Sequence, residues 1–134
     1  MHGGPHILVV EDEPIVGAYV ARLLQRRGYR VTTVGSASEA LDALERTAGD
    51  VRLMLADTRL PGMSGAELID EARRRWPQLR IVRLSGANEP PPGSEPYGES
   101  LGTVPFLEKP FEPGDLFRVV ESALGGAPGG AAAD

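Results

Sequence analysis

The chain contains no cysteine. That excludes a disulfide framework, a thiolate metal site and a cysteine nucleophile, and it fits a reducing compartment. No apolar run approaches the ~20 residues needed to cross a bilayer. The N-terminal MHGGPHILVV also lacks the basic start of a secretory signal. Positive charge is in short supply: 14 basic residues stand against 19 acidic ones, a net −5. This balance argues against a general nucleic-acid binder and against a polybasic membrane anchor. Lysine is almost missing, for Lys109 is the only one among the arginines. A lone ammonium in an arginine-using chain directs attention to what a compact charge does there that a planar guanidinium does not.

What is present suits one domain, since 134 residues fall within the ~100–200 that a domain usually takes. Of the 17 glycines and 12 prolines, 15 lie within 3–5, 86–98 and 125–130, so the excess marks segments rather than the whole chain. We read residues 1–5 as a flexible N-terminus, 6–124 as the folded domain and 125–134 as a flexible Gly/Ala tail. HILVV at 6–10 is a short apolar run suited to a buried parallel strand. Pro14 suits the first turn of a helix. Ile15, Tyr19 and Leu23, with Val16, Val20 and Leu24, then repeat at helical spacing until Gly28. RVTTV at 30–34 reads as a strand, and Ser36 with Glu39 as a capping box opening a second helix. The pattern recurs in a strand at 51–56, a Pro-Gly loop at 57–63, a second box at Ser64 and Glu67, a helix ended by Pro77, and a strand at 80–84. Residues 104–107 are a last strand, and Pro113 opens a final helix. Strands alternating with helices imply right-handed crossovers and a parallel sheet covered on both faces.

In such open sheets ligands sit outside the carboxyl ends of the strands. Strand one runs into Glu11, Asp12 and Glu13, strand three into Asp57, strand four into Ser85, and strand five into Glu108, Lys109 and Pro110. Taken singly these are bland: acids after a strand are mostly a solvated loop, a serine is mostly a turn residue, and a lysine is mostly surface charge. Their joint placement is what carries weight. Clustered carboxylates repel unless something positive lies between them. A hard divalent cation bound by oxygen answers that, with Mg²⁺ suited to a site of few carboxylates. Lys109 supplies a second positive charge.

VVEDEP at 9–14, the aspartate and LPGMSG at 57–65, LSG at 84–86 and FLEKPF at 106–111 together resemble the receiver domain of bacterial two-component response regulators. The resemblance covers about residues 6–124. It implies an α/β fold, a single doubly wound flavodoxin-like sheet of five parallel strands in the order 2-1-3-4-5 with helices on both faces. It also implies that Asp57 accepts a phosphoryl group from a phosphohistidine. Glu11 and Asp12 would hold Mg²⁺ with Asp57 and the backbone carbonyl of Arg59. Ser85 would be the switch hydroxyl, Lys109 the partner of a phosphoryl oxygen, and Phe106 the aromatic switch residue. The partner implied is a histidine kinase or histidine phosphotransferase. Nucleic acid and membrane are not expected as partners, the state is monomer or weak homodimer, and the setting is cytoplasmic. The protein would be a phosphorylatable switch rather than an enzyme.

Three departures bear on output. Arg59 sits where its side chain could overhang the phosphoryl group. Arg83 lies mid-strand in a strand expected to be buried. The stretch 88–102 carries Pro90, Pro91, Pro92 and Pro96, so the fourth helix of the family is expected to be irregular or shortened, with Arg83 reaching water or one of Glu89, Glu95 and Glu99. Met1 and the Gly/Ala tail lean toward a stand-alone receiver without an output domain, and VPFLEKPF toward a receiver from a hybrid histidine kinase. The alternatives are a Mg²⁺-dependent phosphatase of haloacid-dehalogenase type, which lacks its second aspartate at position 59, a flavodoxin-type flavin binder, whose phosphate loop would meet three carboxylates, and a receiver unable to be phosphorylated.

Overall fold

The computed structural model describes residues 4–47, 49–60, 62–86 and 104–125. Five strands, β1 His6–Val10, β2 Arg30–Val34, β3 Val51–Asp57, β4 Arg80–Ser85 and β5 Phe106–Glu108, form one parallel sheet in the order β2-β1-β3-β4-β5. The described helices are α1 Pro14–Arg26, α2 Ala37–Thr47, α3 Gly65–Arg75 and α4 Pro113–Ala123. This is the doubly wound arrangement that the strand–helix alternation implies. The expected irregularity at 88–102, and the ends at 1–3 and 126–134, lie outside the described residues.

Strand alternation divides the core in two. Leu8, Val10, Met54 and Ile81 pack with Ala40, Leu44, Leu68 and Ile69 of α2 and α3. Ile7, Val9, Leu55, Val82 and Leu84 pack with Val20 and Leu24 of α1 and Leu116 and Val120 of α4. β1 and β3 are the central strands and are buried on both faces, which is why they read as continuous apolar runs rather than as alternating ones. A fully buried leucine in such a place contributes about 2–5 kcal/mol against alanine.

Helix ends follow their local chemistry. Gly28 takes φ of 93° just past the last turn of α1, the left-handed conformation that favours glycine. Ser64 Oγ accepts the Glu67 N–H at 3.2 Å and Glu67 Oε1 accepts the Ser64 N–H at 3.0 Å, the reciprocal box expected before α3. At α2 Ser36 Oγ accepts the Glu39 N–H, but Glu39 Oε1 reaches back to the N–H of Gly35 at 2.8 Å.

Three expectations differ from the structure, that for Arg83 in its water arm alone. α1 turns Val20 and Leu24 into the core while Ile15 stays 84% exposed and Tyr19 46%; the apolar arc of the helix is wider than the strip the sheet covers. Arg83 does not reach solvent, being 1% exposed. It lies in register with Ala56 on β3 and Phe106 on β5, on an interior strand whose other residues from Ile81 to Ser85 are also buried. Glu89, Glu95 and Glu99 lie outside the described residues. β5 also begins two residues later than expected, because Pro105 has no N–H for a ladder. Its carbonyl instead accepts the Arg83 N–H at 2.9 Å.

Candidate functional site

The carboxyl ends of β1, β3 and β4 meet the segment after β5 at one rim. The Glu11 N–H donates to the Val34 carbonyl at 3.0 Å, so the backbone stays extended one residue past β1 and turns Glu11 inward. Glu11 is 4% exposed and Asp57 5%, while Asp12 is exposed. One carboxylate oxygen from each of Glu11, Asp12 and Asp57 lies within 4.8 Å of the others. Lys109 reaches across from β5. Its Nζ donates to Glu11 Oε1 at 3.0 Å and to Asp57 Oδ2 at 3.1 Å. Asp57 Oδ1 accepts the Arg59 N–H at 3.1 Å, and Glu11 Oε2 accepts the Glu13 N–H at 3.3 Å.

Lys109 is aimed by backbone. Its N–H donates to the Ser85 carbonyl at 2.7 Å, and the following peptide bond to Pro110 is cis. Ser85, in register with Glu108, thus adjoins the lysine's backbone, and its Oγ is buried without a hydrogen-bond partner among the described residues. An unsatisfied buried hydroxyl costs about 1–3 kcal/mol; it is ready to donate to an acceptor that arrives at the rim.

The electrostatics show what the site is short of. Burial drives the Glu11 carboxyl up to about 7, opposed by the Lys109 hydrogen bond and reinforced by the charge of Asp57. Burial opposes the Lys109 ammonium, but its hydrogen bonds to Glu11 and Asp57 outweigh that and raise its pKa. One ammonium does not balance three carboxylates. Two like charges 4 Å apart repel by about 4 kcal/mol at an effective dielectric of 20. An all-oxygen donor set with surplus negative charge, partly open through Asp12, fits a Mg²⁺-sized cation that keeps some of its waters.

Glu11, Asp12, Asp57, Ser85 and Lys109 meet here, while Phe106 is 41% exposed on β5, in register with Arg83. Two contributors went unread in the sequence. Thr58 donates its N–H to the Leu84 carbonyl at 3.1 Å and accepts the Gly65 N–H at 3.2 Å, tying β3 to both β4 and α3. Gly65 lies so close to the strand end that a Cβ there would sit 2.2 Å from the Asp57 carbonyl oxygen and 2.6 Å from Thr58 Cα. The signal was available as a glycine directly after a helix N-cap serine.

Comparison with known proteins agrees with this fold. The family model described as "Response regulator receiver domain" matches residues 7–121. The chain is 34% identical over 125 residues to the sensor kinase CckA of Brucella abortus, covering 92% of this chain and 13% of that protein. It is 33% identical over 119 residues to the transcriptional regulatory protein FixJ of Bradyrhizobium diazoefficiens, covering 89% and 56%. The chain thus spans from about an eighth to little more than half of these two relatives. Among solved structures, the receiver domain of NtrX from Brucella abortus superposes with a TM-score of 0.74 at 33% identity, over 88% of this chain and 97% of that one. The chemotaxis protein CheY4 of Vibrio cholerae gives 0.80 at 25% identity, over 91% and 100%. These matches lend no support to the haloacid-dehalogenase alternative.

Proposed function

The chain belongs to the response regulator receiver domain family, and on that premise we propose that Asp57 accepts a phosphoryl group from a phosphohistidine and that Glu11, Asp12, Asp57, Ser85 and Lys109 are the working parts of the site. Receivers are phosphoryl-accepting switches rather than classical enzymes. The observation that carries the assignment is the buried Asp57 carboxylate, held by the Arg59 N–H on one oxygen and by Lys109 on the other, beside the unpartnered Ser85 hydroxyl.

Phosphoryl transfer asks a protein mainly for in-line positioning and neutralisation of charge. An Asp57 oxygen attacks phosphorus, a P–O bond forms, the P–N bond to the donor imidazole breaks, and that nitrogen leaves as neutral imidazole once protonated. Lys109 is placed to follow the charge from the carboxylate to a phosphoryl oxygen, and Ser85 Oγ to donate a hydrogen bond to another. Glu11, Asp12, Asp57 and the Arg59 carbonyl would hold Mg²⁺, which supplies neutralisation of the phosphoryl oxygens. The acyl phosphate then adds charge and acceptor oxygens at the rim. Lys109 must trade its bond to Asp57 for one to phosphate, and this pulls on the backbone bond from Lys109 to Ser85. Phe106, three residues earlier and half in solvent, is the side chain free to change packing when β5 shifts.

The partner this calls for is a histidine kinase or histidine phosphotransferase, and a cytoplasmic setting goes with it. Intact-mass spectrometry tests the assignment. Incubation with a phosphorylated histidine phosphotransferase or with acetyl phosphate should add one phosphoryl group in the presence of Mg²⁺. The addition should vanish with chelator and in Asp57→Asn. Uptake by Asp57→Asn at the wild-type rate would remove Asp57 from the role.

A further inference from the structure

The opposite pole, at the amino ends of β3 and β4, carries a second feature that phosphoryl acceptance does not use. Two hollows meet there, of about 460 Å³ and about 330 Å³, both bordered by Arg52, Pro77 and Gln78. The larger adds Arg80 and Leu124. The smaller is lined by Leu44, Val51, Trp76 and Leu79, with Arg75 at its edge. Arg75 Nη2 bonds Glu45 Oε2 at 2.6 Å, and its guanidinium lies over the Trp76 ring at 4.5 Å from the centroid.

Arg52 and Arg80 are exposed. Their neighbours are engaged: Arg30 with Asp50, Arg74 with Glu71, and Arg75 with Glu45. Arg52 and Arg80 have no ion pair among the described residues, in a chain with five more acidic than basic side chains. Other arginines without an ion pair among the described residues occur on α1 and α2, but these two lie at the amino ends of adjacent strands, Arg52 second in β3 and Arg80 first in β4, where Leu53 is in register with Arg80, and they border one hollow.

The geometry points to a binding site for a nucleoside phosphate at this pole, with the phosphate between Arg52 and Arg80 and the base in the hollow beside Trp76. Two guanidiniums in a shared concavity recognise a phosphate by charge-assisted bonds. The adjoining hollow is apolar with one aromatic and one cationic plane, which suits a flat heterocycle. Gln78, on the border of both, offers donors and an acceptor for a ribose or a base edge. Both volumes fall in the range of small-molecule sites, ~300–1,000 Å³. A peptide strand is a poorer occupant, because β3 and β4 are interior strands and offer no open edge to augment. A nucleic acid is poorer still, because the net charge of −5 repels a polyanion.

The sole tryptophan of the chain is Trp76, so its indole N–H resonance reads the site directly. We expect AMP or GMP to shift that resonance saturably in the full chain. Adenosine and guanosine should bind at least about tenfold more weakly, because they lack the charged group. Raising salt should weaken the nucleotides and spare the nucleosides. Arg52→Glu and Arg80→Glu, both at exposed positions, should keep the wild-type melting temperature and lose the preference for nucleotide over nucleoside. The proposal fails if neither nucleotide shifts the indole at millimolar concentration, or if nucleoside and nucleotide bind alike. It fails also if inorganic phosphate binds as tightly as AMP, which would remove the base, or if Arg80→Glu keeps wild-type affinity.

Discussion

Lys109 and Asp57 are 52 residues apart and joined by a 3.1 Å hydrogen bond, with a second bond from the same ammonium to Glu11 at 3.0 Å. One nitrogen therefore reports on two carboxylates that come from different strands. Whatever alters charge on Asp57 is felt at once by Lys109, and through its backbone N–H by Ser85.

Replacing Lys109 by arginine should leave folding nearly unchanged and break the coupling of phosphorylation to conformation. The ammonium's side chain is 23% exposed and bridges both acids from a confined position, where a longer planar fork cannot satisfy the same pair. Amide spectra with and without a beryllofluoride mimic of the phosphoryl group will show it. Wild-type shifts over 104–110 in the variant would mean that charge alone suffices.

Asp12→Asn should abolish stabilisation by Mg²⁺ while leaving the metal-free melting temperature close to wild type. Asp12 is exposed and carries no packing, so its loss touches the donor set and little else. A ligand that binds only the folded state adds about 2.7 kcal/mol at a hundredfold excess over Kd. Thermal melts across a Mg²⁺ titration should rise for wild type and stay flat for the variant.

Gly65→Ala should destabilise the fold by about 2–3 kcal/mol, at the upper end of what overpacking costs. The atoms a Cβ meets, the Asp57 carbonyl oxygen at 2.2 Å and Thr58 Cα at 2.6 Å, are backbone and cannot rotate away. Urea unfolding gives the number, and a change under about 0.5 kcal/mol, typical of a neutral surface site, would show that α3 can shift freely against β3.

Asp50 gives the pH prediction. Hydrogen bonds from His6 and Arg30 hold its carboxyl below the usual 3.8. A depressed carboxyl contributes stability that is present above the unfolded value and is lost as pH falls through the folded one. Asp50→Asn should therefore flatten the acid limb of the stability curve below 3.8 and leave its neutral part parallel to wild type. Chemical denaturation at a series of pH values checks this; unchanged steepness in the variant would assign the acid limb to other carboxylates.

The sequence by itself determined the elements and the identity of the rim. Its runs HILVV and VRLML suit strands, Pro14, Gly28 and the Ser64–Glu67 box set helix ends through local backbone chemistry, and the strand ends named Glu11, Asp57, Ser85 and Lys109 because topology alone sends those residues to one edge. Only the tertiary structure decided what depends on packing at a distance. Ile15 and Tyr19 share the helical period of Val20 and Leu24, yet they face solvent because the sheet covers a narrower strip than the apolar arc. Arg83 reads as a charge in need of water or an acid, and the fold buries it away from water on an interior strand. The glycine directly after the N-cap Ser64 is visible in the sequence, but the reason for it, a backbone approach between β3 and α3, appears only in the fold. The bond from Lys109 to two acids, and the meeting of Arg52 with Arg80, likewise exist only once strands distant in sequence lie side by side.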